Sequence, residues 1–137
     1  MLLLVAGSWS SLPAEIPQHF GASGRPDATG ARWTILVLPA VGVILYVALT
    51  VLARFPHKAN YLWPITEENA ARQYRLARTV LTAVKGEIVW FFGYVVQQTI
   101  QVATGSAEGL GAIFLPIFLV VTFGTLGGYV VLAYRAR

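Results

Sequence analysis

Apolar residues run in long blocks along this chain, with polar residues gathered in the gaps between them. Thr34–Ala53 is twenty residues without a charge, Ile88–Ala107 is another twenty, and Gly109–Tyr134 is twenty-six. A helix crossing a hydrocarbon core needs about 20 apolar residues. These runs predict transmembrane helices at about 34–53, 86–105 and 110–134. The opening "MLLLVAGSWSS" is apolar as well but about half the required length, and it lacks the basic start of a signal peptide. It reads as a first span over about 1–12 that is short or truncated at its N-terminus. The expected fold is therefore all-α: a single membrane domain over 1–137, built as a small bundle of four helices.

Between the second and third spans the pattern changes period. Ala70, Tyr74, Ala77, Leu81 and Val84 recur at helical spacing, and Arg72, Arg75 and Arg78 lie off that stripe. Thr66 is suited to N-cap this helix, with Glu67 and Glu68 in its first turn, where carboxylates favour the helix dipole. Glu68 and Arg72 stand four apart in the favourable order. The segment 54–85 thus holds a basic amphipathic helix that runs into the third span.

Composition supports a membrane protein. The chain is 56% hydrophobic and 12% charged, against about 25% charged in soluble domains. The net charge of +4 is no sign of nucleic acid, because Lys and Arg in such a chain set topology and meet anionic lipid heads. With 54–85 and the C-terminus placed inside, that side holds Arg54, Lys58, Arg72, Arg75, Arg78, Lys85, Arg135 and Arg137, and the other holds Arg25 and Arg32. This positive-inside asymmetry predicts a multi-pass inner-membrane protein. If the first segment crosses, both termini are cytoplasmic and the 13–33 loop faces out. There is no cysteine, hence no disulfide and no thiolate metal site.

Polar residues inside the oil are the next candidates. Glu87, Tyr94, Gln98 and Gln101 fall within about 60° on a helical wheel. Such a stripe faces the bundle interior, either as interhelical hydrogen bonding or as a polar path. Lys85 lies on the other side of the wheel and has the length to snorkel to the inner surface. In the last span Gly124 and Gly128 form a GxxxG, which lets another helix approach closely, from this chain or from a second subunit.

The densest polar segment is "LPAEIPQHFGASGRPD", residues 12–27. Pro17 restricts its backbone, Gly21 and Gly24 permit positive φ, and "GRPD" reads as a turn. His19 and Asp27 have three possible uses: local hydrogen bonding that holds the loop, an outward recognition surface, or metal and acid–base chemistry with Glu15. Two or three scattered ligands are a weak metal signal. No nucleotide loop, nucleophile elbow or paired intramembrane carboxylate appears.

This segment resembles the signature of the bacterial membrane family called domain of unknown function 1648, to which the N-terminal part of the SdpI-type immunity proteins belongs. Pro13, Pro17, His19, Phe20, Gly24, Pro26 and Asp27 match its pattern, and Gly21 stands where asparagine is usual. "NYLWPITEENAARQYRLAR", with Asn60, Thr66, Glu67, Asn69, Arg72, Arg75 and Arg78, resembles the cytoplasmic segment of small members. The resemblance extends from Leu12 to about Arg78. The resemblance suggests an immunity-type role by analogy, and with the lack of catalytic motifs the expectation is a non-enzymatic accessory, sensor or immunity-type protein without cofactor or metal. Its partners would be the bilayer, an extracytoplasmic peptide or lipid, and a membrane-protein partner or second copy. A transporter or channel subunit using the polar stripe is the alternative, and a membrane enzyme using His19 and Asp27 the third.

Overall fold

A computed structural model describes all residues, 1–137. It is mostly helical, but it is not all-α. Residues 13–33, expected as a loop, contain an antiparallel hairpin of β1 (Glu15–Phe20) and β2 (Pro26–Ala31). Pro17 gives no obstacle, because both strands of a two-stranded sheet are edges and proline is tolerated there. The turn lies at Gly21–Arg25, beginning three residues before "GRPD": the Gly24 N–H donates to the Gly21 carbonyl (2.8 Å) and the Gly21 N–H to the Arg25 carbonyl (2.9 Å). Pro26 and Asp27 therefore open β2. Gly24 takes the positive φ, at 76°, and Gly21 does not.

Within the expected first span, about 1–12, only a short helix forms. Residues Leu2–Ser8 form α1, a helix of seven residues. At 1.5 Å per residue it reaches roughly 10 Å, a third of a hydrocarbon core. Three helices, not four, are long and apolar enough to cross a membrane. The expectation that both termini share one side rested on the first segment crossing, and it loses that ground.

The three long helices are α2 (Val37–Arg54), α3 (Ala70–Ala103) and α4 (Phe114–Arg135). A 3₁₀ turn over Arg32–Leu36 leads into α2. Pro39 and Pro116 each stand third in their helix, where the missing N–H has no intrahelical partner to lose. The basic segment and the third span are one continuous helix of 34 residues. Along its first half Ala77 is buried and Ala70, Tyr74, Leu81 and Val84 are half-buried, while Arg72, Arg75 and Arg78 are exposed. On α2 and α4, Ile44, Val120 and Phe123 stand bare. Side chains of this kind, exposed in numbers, fit contact with lipid rather than water.

The chain divides into two compact units, Met1–Val43 with Val89–Phe118, and Ile44–Ile88 with Leu119–Arg137. In the first, Val5 of α1, Leu12, Ile16 of β1, Ile35, and Val96 and Ile100 of α3 form a buried apolar cluster, with Trp9, Leu38 and Ala103 packed against it. Burying α1 and the hairpin on α3 in this way is what orders a two-stranded sheet, which alone is marginally stable. In the second unit Gln73 donates to the Ala133 carbonyl at 2.8 Å, and the Trp63 and Tyr134 rings meet edge to face at 5.7 Å.

Candidate functional site

The hairpin is built around a local pair. His19 Nδ1 lies 2.6 Å from Asp27 Oδ1. The ladder register shifts on both sides of His19, and such a bulge re-aims a side chain relative to its strand. Here it brings the imidazole beside the carboxylate of β2. Asp27 also leans over Gly21, where a Cβ would sit 3.0 Å from Asp27 Oδ2. The Gln18 amide lies over Gly30 and occupies the space a Cβ there would need. Phe20 and Pro26 face each other across the ladder. Pro13 is exposed and Pro17 buried.

The hairpin tip is tied to the segment before α4. The Leu110 N–H donates to the Gly24 carbonyl at 2.7 Å, and Arg25 reaches Glu108 at 3.4 Å. A Cβ on Gly24 would meet the Gly111 carbonyl oxygen at 3.1 Å, so this approach requires glycine for space as well as for φ. The Tyr94 hydroxyl donates to the Leu110 carbonyl at 2.8 Å, and its ring stacks on Phe114 at 5.0 Å.

Beside β1 the unit has a half-open cavity of about 470 Å³, with Ile35, Leu38, Val95, Val96, Phe20 and Leu110 on its wall. Gln18, His19, Thr34 and Thr99 also border it. Sequence reasoning did not find this cavity. Its apolar lining comes from segments distant in the chain, and each reads alone as ordinary span or loop.

The polar stripe does not form one network. Glu87 lies in the second unit, where it accepts a hydrogen bond from the Thr125 hydroxyl. Tyr94, Gln98 and Gln101 lie in the first; both glutamines are half-buried. Lys85 does not snorkel free: its ammonium donates to Thr50 Oγ1 at 3.2 Å and sits over the Tyr46 ring. Gly124 and Gly128 are exposed, with nothing within 4 Å of an added Cβ, and they border a cavity of about 190 Å³ together with Leu76, Thr79, Val80 and Ala83 of α3.

In the segment before α3, Thr66 and Asn69 cap reciprocally. The Asn69 N–H donates to Thr66 Oγ1 (3.3 Å), and the Thr66 N–H donates to Asn69 Oδ1 (2.9 Å). This is the capping-box arrangement with asparagine in the third position. Asn69 is buried and also donates to the Pro64 carbonyl at 3.1 Å. Asn60 and Glu67 are exposed, and Glu68 and Arg72 form no ion pair. Burial, with the neighbouring Tyr129 and Tyr74, holds the Tyr61 phenol above its ordinary value, so it remains a donor to the Pro56 carbonyl (2.9 Å). Gln73 was missed because a polar residue in a basic helix reads as outward-facing, although it stands on the Ala70–Ala77 face.

No group of three or more His, Asp or Glu side chains is placed to hold a metal ion. The segment that holds the hairpin and the start of α2 is also where the chain matches a known family. Residues 1–43 match the family model described as Domain of unknown function (DUF1648). The N-terminal segment is similar to that family over these residues. The match takes in α1 and stops within α2, short of the "NYLWPITEENAARQYRLAR" segment. An uncharacterized protein of Archaeoglobus fulgidus is 39% identical over 61 residues, which cover 39% of this chain and 33% of that protein. The chain thus aligns with about a third of the length of that curated relative. No solved structure matches. All seven residues of the hairpin motif, from Pro13 to Asp27, fall within the matched range.

Proposed function

We propose that this protein is a non-enzymatic inner-membrane sensor, accessory or immunity-type protein whose DUF1648 hairpin receives an extracytoplasmic ligand. The observation that carries the reading is the apolar cavity beside β1, bordered by the His19 of the motif. Cavities of this size and lining are typical ligand sites. Binding is favoured over catalysis because no hydroxyl nucleophile hydrogen-bonds His19; Asp27 on Nδ1 fixes the ring and leaves Nε2 to meet a ligand. The relation to SdpI-type proteins, and the placing of the hairpin outside with the C-terminus inside, belong to this reading and rest on the motif and on the charge asymmetry.

The test is ligand retention. The full chain, in nanodiscs, is exposed to an envelope extract of its host and washed, and what stays bound is identified by mass spectrometry. A defined molecule should stay with the native chain and be lost when residues 15–31 are replaced by a glycine–serine loop. Equal retention by both, or none by either, overturns the reading.

A second reading, a transporter or channel subunit, draws on the Glu87–Thr125 pair within the candidate spans, since ionisable groups there commonly mark pathways. Flux surviving intact in a Glu87→Gln, Thr125→Val double variant would remove it.

A further inference from the structure

The cavity of the hairpin unit has two chemically different parts. Its wall is aliphatic, from Ile35, Val37 and Leu38 on one segment and Val95 and Val96 on α3. The wall hydroxyls of Thr34 and Thr99 donate to the Ala31 and Val95 carbonyls of their own segments. The remaining polar groups lie at β1, where His19 and Gln18 border the space. With Nδ1 engaged by Asp27, His19 has Nε2 free, and the Gln18 amide makes no hydrogen bond within the chain. The charged groups at this border already have partners, Asp27 in its hydrogen bond with His19 and Arg25 in its ion pair with Glu108. None of Arg25, Asp27 and Glu108 lines the cavity.

A charged head would find no free counter-charge here, and a peptide would bring a row of backbone groups to only two polar partners, leaving the rest unsatisfied. A hydrocarbon chain has neither problem. Two walls of the cavity, Ile35–Leu38 and Val95–Val96, belong to helices apolar enough to lie in a bilayer. Such a chain would thus pass from lipid to protein without crossing water. We propose that the cavity holds one alkyl chain of a neutral-headed bilayer lipid, with a hydroxyl or ester of its head hydrogen-bonded by His19 Nε2 and the Gln18 amide. This deepens the ligand-binding reading of the hairpin and rests on it.

The experiment uses the full chain in phosphatidylcholine nanodiscs with a trace of a monoacylglycerol bearing a diazirine near the end of its chain. After illumination, crosslinks are mapped by mass spectrometry. Labelling should concentrate on Leu38, Val95 and Val96, and unlabelled monoolein should compete at least tenfold better than phosphatidylglycerol. Leu38→Trp, which fills the space, should reduce labelling about tenfold. Val37→Trp, at a more exposed lining position, gives the same comparison if the first variant does not fold. His19→Leu should leave labelling in place but erase the preference for the neutral head. Labels spread evenly over the bare faces of α2 and α4, or equal competition by phosphatidylglycerol, overturn the proposal. So does displacement by an apolar peptide where monoolein fails. Retention of a host ligand without monoacylglycerol labelling sinks the lipid alone. Labelling without any hairpin-dependent retention sinks the receptor reading.

Discussion

His19 and Asp27 stand eight residues apart and share one hydrogen bond with most of its surroundings open. An exposed pair of this kind contributes about 0.2–1 kcal/mol. His19→Ala and Asp27→Ala should therefore each lower stability by no more than about 1 kcal/mol in denaturant titration, and the double variant should lose little beyond either single one. Additive losses would mean that each residue has a separate partner. At this scale the sequence was legible where chemistry is local: two complementary groups flanking a turn, and Thr66 before a helical stripe. It was opaque where the partner is distant. Nothing near Gln73 announces the Ala133 carbonyl sixty residues on, and nothing near Glu87 announces Thr125.

Among elements, the long helices were readable because an uncharged run of twenty residues has one economical solution in a bilayer. The hairpin was not. The strand "PDATGA" carries little β-propensity, and the bulge at His19 breaks the alternation of β1, burying Ile16 and Pro17 in succession. Packing against α1 and α3, rather than propensity, sets these strands. Gly24 is where the hairpin is most exposed to substitution. Gly24→Ala must hold a left-handed φ, at about 1–2 kcal/mol, while crowding the Gly111 carbonyl. It should release the tip, read as faster amide exchange at Leu110, whereas an alanine at the open Gly7 should not.

At the scale of the whole molecule, the distribution of Lys and Arg makes the firmest prediction. Residues 15–31 precede α2 and residues 55–69 follow it, so one crossing separates them. Single cysteines at Ser23 and Ala59 should label from opposite faces of the membrane, Ser23 from outside. An impermeant reagent applied outside that labels both would refute the crossing by α2. The number of crossings was less legible than their positions, because hydropathy marks an apolar start without saying how much of it becomes helix. Residues 2–8 do, and Leu12 turns instead into the core beneath the hairpin.

The unit that contains the hairpin is discontinuous in the chain, since it joins Met1–Val43 to Val89–Phe118. That has a consequence in time. A ribosome extends a chain at about 5–20 residues per second, so the strands are made several seconds before α3 can cover Ile16 and before Leu110 can hold Gly24. For that interval the motif is a nascent segment without its core. A chain stalled before residue 89 should carry a hairpin that protease cuts freely, and one extended past residue 118 should resist. Equal resistance in both would show that the hairpin matures alone, before the rest of its unit exists.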